Sequence, residues 1–288
     1  MVTQYIINLI NFEGLIENFM NKYSKTLTYG SLVKASLIDV DKLDITTLPK
    51  KTRDEIPTLN KFGFVKSHID EYTEGFIATA IKSSDYPVLE IGCGYGYAVH
   101  QVLKSGGSIV ANDIEKKHLE ILLKSTPEEQ LEKLNLYPGK FPEEVVFDEK
   151  RFSAILASRV LHFLNGNTIE VCFDKIYKWL KPEGKFYFTA VSVYHETFQA
   201  GFAPIYKENK KKKIKWPGEI QNQHIFYPEY SNDVPAFVHA FDVEVLAKIL
   251  PQHGFEIEKI GLFNYPEDTT AGDKGHIGFV AQKTENYK

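Results

Sequence analysis

The sequence feature that most constrains the fold is the segment 88–96, which reads VLEIGCGYG. Its apolar start predicts a buried strand, and the apolar spacing of residues 97–103 predicts a helix directly after the glycines. Glycine lacks a Cβ atom and accepts positive φ, so alternate glycines allow a sharp turn in which backbone N–H groups approach a ligand. The N-terminus of the following helix favours an anionic group there. The segment therefore predicts a strand, a ligand-binding loop and a helix.

The spacing of these glycines differs from that of a dinucleotide-binding loop. Such a loop has a third glycine, or an alanine, three positions after the second, where this chain has Tyr97, whose side chain would crowd a pyrophosphate. The next apolar strand, 108–112, is followed by Asp113, about 20 residues after the first glycine, where a carboxylate can accept hydrogen bonds from ribose hydroxyls. The sequence thus predicts a ligand that carries a ribose. A nicotinamide-dependent oxidoreductase is the alternative enzyme, and Tyr97 argues against it.

From residue 86 onward, apolar runs of strand length alternate with segments of helical periodicity. This alternation favours parallel strands with helices on both faces of the sheet. Ligands of such sheets bind beyond the carboxyl ends of the strands, which is where the glycine loop lies. The chain is therefore predicted to be an α/β protein with its binding site at that edge.

The glycine run and Asp113 together resemble the first two motifs of the class I S-adenosylmethionine-dependent methyltransferases. The resemblance covers roughly residues 72–283, and the helix and two strands predicted in 241–282 are similar to the elements that close the family's sheet. It implies a doubly wound, mostly parallel seven-stranded sheet with an antiparallel last strand. It also implies an enzyme that transfers a methyl group from S-adenosylmethionine to a small or medium acceptor. A non-catalytic module that only binds this cofactor is a further alternative, because catalysis by positioning needs no unique side chain.

The resemblance also implies a set of cofactor-binding residues. They are Glu90, Gly92, Cys93, Gly94, Gly96, Asp113, Ile114, Phe141, Ser158 and Arg159. Glu90 would favour the cationic end of the cofactor, or else be satisfied by loop amides alone. Asp113 would bind the ribose, or else cap the helix that follows it. The chain has Lys140 where family members often have an acid near the adenine, so Phe141 is expected to pack on the adenine, unless this segment is a plain turn.

Two histidines are candidate general bases. His162 follows the strand 152–157, in a segment similar to the one that lines the family's methyl-donor pocket, and His195 follows the strand 185–193. An imidazole has a pKa close to neutrality and suits proton transfer from an oxygen or nitrogen acceptor. The alternative is a structural role in the core, and a thiolate acceptor would need no base.

Outside the predicted sheet, residues 1–84 are expected to form an N-terminal helical extension, with helical periodicity in 10–23 and 65–81. Residues 85–288 are expected to form the methyltransferase domain, with an insertion at 194–240. The insertion is rich in aromatic residues, which either line a pocket for the acceptor or pack the insertion onto the sheet.

Composition narrows the possible partners. The formal net charge of −4 gives no general case for nucleic-acid binding, and the lysine run 210–213 is typical of a solvated loop. The two cysteines form neither a disulfide framework nor a zinc site, so no metal is predicted. No apolar stretch has the roughly 20 residues that span a bilayer. A cytoplasmic enzyme with a small-molecule or peptide acceptor is therefore expected, and its oligomeric state is not predicted.

Overall fold

The computed structural model describes residues 26–43, 48–50, 55–66, 68–83, 85–199, 201–265 and 274–285. The helix expected at 10–23 lies outside these residues. None of the helices within the described ranges has the length and apolar character needed to cross a membrane.

The described residues form twelve β-strands and seven α-helices. The strands are β1 (Val33–Lys34), β2 (Glu55–Pro57), β3 (Phe64–Lys66), β4 (Val88–Ile91), β5 (Ile109–Asp113), β6 (Leu134–Pro138), β7 (Phe152–Ser158), β8 (Leu180–Val191), β9 (Glu219–Ile220), β10 (Val238–His239), β11 (Phe255–Phe263) and β12 (His276–Lys283). The α-helices are α1 (Glu71–Lys82), α2 (Tyr97–Lys104), α3 (Lys116–Ser125), α4 (Gly166–Trp179), α5 (Glu196–Gln199), α6 (Phe202–Lys211) and α7 (Val243–Ile249). The longer 3₁₀ segments are Glu128–Lys133 and Leu250–His253.

An eight-stranded sheet lies at the centre, in the order β1-β6-β5-β4-β7-β8-β12-β11. The strands from β6 to β8 in this order pair in parallel, whereas β12 is antiparallel to both β8 and β11. The predicted doubly wound, mostly parallel sheet with an antiparallel last strand is confirmed. The sheet has one strand more than predicted, because the short strand β1 pairs antiparallel with β6 at the edge.

Side chains of the central strands are buried on both faces of the sheet. In β4, Val88 packs into the core on the side of α1, α2 and α3, and Leu89 packs into the core on the side of α4 and α7. Successive residues of a strand point to opposite faces, so a continuous apolar run is what a sheet covered on both sides requires. This burial fixes the strand ends that carry the site.

The N-terminal region differs from the expected pair of helices. The helix predicted at 65–81 begins only at Glu71, because Asp70 caps it by accepting hydrogen bonds from the backbone N–H groups of Tyr72 at 3.0 Å and Thr73 at 2.9 Å. Residues just before it form β3, which pairs antiparallel with β2. Residues 55–66 thus form a β-hairpin, called the hairpin below, that was not predicted from the sequence.

The segment 194–240, which the sequence predicts to be an insertion, contains α5, α6 and the two-stranded β9–β10 pair. Its residues form a small apolar core together with Val193, which directly precedes the segment; the core residues of the insertion are Phe198, Phe202, Tyr206, Ile220, Val238 and Ala240. Part of its aromatic content therefore packs the insertion together.

Candidate functional site

Two adjoining cavities lie at the carboxyl edge of the sheet. The first cavity is bounded by the glycine loop after β4, the ends of β5 and β7, the hairpin, and the start of α1. Of the residues that the sequence implied for the cofactor, it is lined by Glu90, Gly92, Cys93, Gly94, Asp113, Ile114, Ser158 and Arg159. Gly96 lies at the end of the same loop and Phe141 lies elsewhere. The structure thus brings most of the implied set together.

The glycine loop has the backbone conformation that its residue types suggest. Gly92, Gly94 and Gly96 have φ of +67°, +53° and +81°, in a region that side-chain-bearing residues rarely adopt. A Cβ atom on Gly92 would lie 2.7 Å from Cγ2 of Val160, and one on Gly96 would lie 2.4 Å from Cδ1 of Leu122. Glycine is therefore required here both by the turn and by the packing around it.

Asp113, at the end of β5, is buried and anchors this loop. Its Oδ2 accepts a hydrogen bond from the Gly94 N–H at 2.8 Å, and its Oδ1 accepts from the Glu115 N–H at 2.7 Å. The N-cap of α3 is Glu115, whose side chain accepts from the Lys117 N–H, so the alternative capping role belongs to the neighbouring residue. A carboxylate offers about four lone-pair positions, which leaves capacity for a ligand hydroxyl.

Glu90 is buried at the floor of the first cavity with an unsatisfied oxygen. Its Oε2 has no hydrogen-bond partner among the described residues. Burial, and then the charge of Asp113, raise the pKa of Glu90 to about 8, against a backbone hydrogen bond at Val99 that lowers it. A cationic ligand group beside Oε2 would favour the charged form. The cavity therefore suits a molecule with a positive end and a ribose.

Comparison with known proteins decides which molecule this is. Residues 88–184 match the family model described as "Methyltransferase domain". The protein is an S-adenosylmethionine-dependent methyltransferase with a class I methyltransferase-like fold. This methyltransferase uses S-adenosylmethionine as its cofactor, which has a cationic amino-acid end and a ribose, and the oxidoreductase alternative is not favoured.

Three similar proteins illustrate the range of the family. Malonyl-acyl-carrier-protein O-methyltransferase of Priestia megaterium is 24% identical, over 77% of this chain and 83% of that protein. A methyltransferase from Mesorhizobium loti has a TM-score of 0.55 and 16% identity, covering 73% of this chain and 95% of that one. A 1,6-didemethyltoxoflavin-N1-methyltransferase of Burkholderia thailandensis, solved with 1,6-didemethyltoxoflavin and S-adenosylhomocysteine, has a TM-score of 0.52 and 17% identity, covering 75% and 79%.

The hairpin covers the first cavity and is hydrogen-bonded to residues around Asp113. The Leu59 N–H donates to Nε2 of His118 at 3.1 Å, so the proton of this neutral imidazole lies on Nδ1, which donates to Asp113 Oδ1 at 3.2 Å. The Tyr95 hydroxyl donates to the Pro57 carbonyl oxygen at 2.7 Å. Through the Leu59–His118–Asp113 hydrogen bonds, the hairpin is connected to the carboxylate that is expected to bind the ribose.

We expect Tyr95→Phe to speed the release of S-adenosylhomocysteine several-fold. Burial raises the pKa of Tyr95 to about 12, so its hydroxyl is a donor throughout the neutral range. Phenylalanine keeps the ring, whose centroid lies 4.9 Å from that of His118, and removes one hydrogen bond worth about 1 kcal/mol. Stopped-flow displacement measures the rate, and an unchanged rate would show that this bond does not hold the hairpin closed.

The second cavity lies between the hairpin, the ends of β7 and β8, and the insertion. Its wall towards the first cavity is shared and consists of Phe62, Phe64, Lys66, Arg159 and Phe163. From the insertion, Phe198, Tyr227 and Tyr230 contribute to the lining, so both expected uses of the aromatic residues occur. The cavity is placed to hold a molecule beside whatever occupies the first one.

Both candidate bases line the second cavity, together with His276. Burial, followed by the charge of Arg159, lowers the pKa of His162 to about 3, so its imidazole is neutral at physiological pH and weakly basic. Within the described residues its Nδ1 has no hydrogen-bond partner. The His195 ring is buried, and its Nδ1 accepts from the Thr197 N–H at 3.4 Å. The positions of the two histidines fit contact with an acceptor.

Phe141 is the member of the implied set that lies away from both cavities. Its ring is buried in the core, with its centroid 5.7 Å from that of Trp179, and an adenine contact for it stays a prediction. The hairpin residues and His118 also belong to the site, and neither was predicted from the sequence. A turn-rich run at 58–63 between apolar residues was the available signal for the hairpin.

Proposed function

We propose that this methyltransferase transfers its methyl group to a small molecule bound in the second cavity. The observation that carries the proposal is the shared wall, since a residue such as Arg159 lines both cavities. Holding a donor and an acceptor side by side supplies much of the barrier reduction in a displacement reaction. The small-molecule acceptor named for the Burkholderia neighbour supports a small acceptor, and the carrier-bound malonyl group named for the Priestia relative marks the alternative.

In this proposal the first cavity holds S-adenosylmethionine, which supplies an activated methyl group on a sulfonium. Gly92 and Gly94 let the main chain approach the cofactor, Glu90 favours its ammonium group, and Asp113 accepts from its ribose. Ile114, which is 39% exposed, offers an apolar surface for the adenine. Ser158 stands at the end of β7 with its hydroxyl held by Thr189 at 2.9 Å. His162 and His195 would face the acceptor, and for an acceptor that must lose a proton they are the predicted bases, with the lowered pKa of His162 making it the weaker one.

The same proposal assigns a role to the two regions outside the predicted core fold. The hairpin belongs to the N-terminal extension 1–84, and the opposite wall of the second cavity belongs to the insertion 194–240. The domain 85–288 would then bind the cofactor, and the extension and the insertion would together enclose the acceptor. Functional sites on such added segments are where members of one fold usually differ.

We expect Val234→Trp to abolish methyl transfer while leaving cofactor binding intact. Val234 is half-buried and lines the second cavity but not the first, so an indole there would occupy the acceptor's space. The matched control is Val171→Trp on the outer face of α4, where the side chain is 48% exposed. The measurements are calorimetry with S-adenosylhomocysteine, and label transfer from methyl-tritiated S-adenosylmethionine to a low-molecular-weight cell extract. Transfer that survives in Val234→Trp would move the acceptor elsewhere.

A further inference from the structure

We infer that the acceptor is a carboxylate on a flat apolar body, and that Arg159 selects it. The inference rests on the proposed function and adds the chemical class of the acceptor. It is based on two features of Arg159: a positive φ, and a guanidinium without an ion-pair partner among the described residues. The cavity that it lines has a net positive charge and aromatic walls.

Arg159 is held in a strained position at the junction of the two cavities. Its φ is +54°, a left-handed conformation that is unfavourable for a residue with a side chain, and such outliers cluster at functional sites. Its backbone N–H donates to the Thr189 carbonyl oxygen at 2.8 Å, and its Nη2 donates to the Phe64 carbonyl oxygen. The surrounding structure therefore directs the guanidinium to one place despite the strain.

The guanidinium lacks a charge partner in the part of the chain that the structure describes. No carboxylate among those residues forms an ion pair with Arg159. The guanidinium carbon Cζ lies 5.6 Å from the centroid of the Tyr265 ring. A guanidinium has five N–H donors, and the bond to Phe64 uses one of them. The remaining donors suit the two oxygens of a carboxylate, which arginine binds in a bidentate manner.

The charges around the second cavity point to an anion as well. Apart from histidines, the lining residues with formally charged side chains are Glu55, Lys66 and Arg159. Lys66 Nζ lies 3.0 Å from Glu55 Oε1, so these two charges compensate each other and the charge of Arg159 remains. A bare guanidinium would repel a sulfonium in the adjoining cavity. A monoanionic acceptor between the two cations attracts both of them and offsets this repulsion.

The apolar lining determines the shape of the acceptor. The rings of Phe62 and Phe163 pack edge to face with centroids 5.1 Å apart, and those of Tyr227 and Tyr230 pack in the same way at 5.3 Å. Aromatic walls of this kind favour a planar apolar body. Arg159 lines both cavities, so a carboxylate bound to it lies where the cavities meet, and one of its oxygens is the acceptor atom.

The chemistry balances without a base. The carboxylate oxygen forms a bond to the methyl carbon while the carbon–sulfur bond breaks, and the electron pair of that bond stays on sulfur. The anion and the sulfonium become a neutral methyl ester and a neutral thioether, and no proton is released. This agrees with the low pKa of His162, because an ionised carboxylate requires no proton acceptor.

The test uses three pairs of probes with matched shape: benzoate and benzamide, 2-naphthoate and 2-naphthamide, and trans-cinnamate and cinnamamide. Binding is measured calorimetrically near neutral pH on the full chain saturated with S-adenosylhomocysteine. We expect at least one acid to bind about tenfold more tightly than its amide. In Arg159→Gln the two members of that pair should bind within about twofold of each other, and Arg159→Lys should restore part of the preference.

Arg151→Gln is the matched control, since Arg151 lines neither cavity, and it should keep the full preference. If no acid binds more tightly than its amide, or if Arg159→Gln leaves the preference unchanged, the inference is overturned. The affinity for S-adenosylhomocysteine is measured first in every variant. If the unaltered protein does not bind S-adenosylhomocysteine, the proposed function itself is overturned. If it binds S-adenosylhomocysteine but does not prefer an acid to its amide, only the inference about the acceptor is overturned.

Discussion

Replacing Glu90 by glutamine is expected to weaken S-adenosylmethionine binding about 10- to 100-fold above about pH 8, the range expected for losing a hydrogen bond to a charged group. Because the pKa of Glu90 in the folded protein is about 8, the carboxyl is protonated at neutral pH, and binding of the cofactor's ammonium group must release that proton. The affinity of the unaltered protein should therefore rise up to about tenfold per pH unit as pH approaches 8, and then level off. In Glu90→Gln this part of the pH dependence should disappear.

The same substitution should stabilise the ligand-free protein at high pH. The folded-state pKa of Glu90 lies above the ordinary value of 4.5, so the folded protein holds a proton that the unfolded chain loses first. The free energy of unfolding should then fall as pH rises from about 4.5 to 8, by on the order of 1 kcal/mol per pH unit. Glu90→Gln removes this loss, because an amide is neutral at every pH.

Thermal unfolding and calorimetry between about pH 6 and 9 measure both effects. Glu128→Gln is the matched control, because Glu128 is exposed and its substitution should change neither profile. Equal affinities of the unaltered protein and Glu90→Gln at pH 9 would mean that loop amides alone satisfy the carboxylate, as the alternative interpretation of the sequence held.

The second large effect is expected from Gly92→Ala, which should lower the free energy of unfolding by about 2 to 4 kcal/mol. The φ of +67° strains any residue with a Cβ atom, and that atom would lie 2.7 Å from Cγ2 of Val160. Relief of the overlap moves the loop, so the affinity for S-adenosylhomocysteine should fall about tenfold or more. Chemical denaturation and calorimetry provide the two measurements.

Two further variants separate backbone strain from steric overlap. Gly106 has a φ of +84°, but the nearest neighbour of its Cβ would be Lys133 Nζ at 3.7 Å, so Gly106→Ala should show the strain alone, about 1 kcal/mol. Gly92→Ala combined with Val160→Ala should recover part of the loss, because the overlapping methyl groups are gone. If Gly92→Ala destabilised the protein no more than Gly106→Ala, packing around the glycine loop would not be the reason for glycine there.

The parts of the site that the sequence predicted are those with a local cause. A glycine loop between a buried strand and a helix requires particular residue types within a few positions, and Asp113 follows directly from where the next strand ends. The central sheet can also be predicted from the sequence, because strands that are buried on both faces appear as continuous apolar runs. These features need no knowledge of which distant residues come together.

The remaining parts depend on contacts between residues far apart in the chain. The strands of the hairpin are three residues long each, too short for an alternating pattern to stand out. Leu59 and His118 are 59 positions apart, and nothing in the helical pattern of α3 marks His118 as the partner of a backbone amide. For Phe141 the residue type does not decide between two environments. An apolar ring is consistent with an adenine contact and equally with the observed packing on Trp179.

The hairpin has a kinetic consequence for this enzyme. Phe62 and Phe64 line both cavities, so a displacement of this segment would open both to solvent at once. With the cofactor and the acceptor bound as proposed, loading and release of the two compounds would be coupled, and the lifetime of the closed state would set an upper limit on turnover.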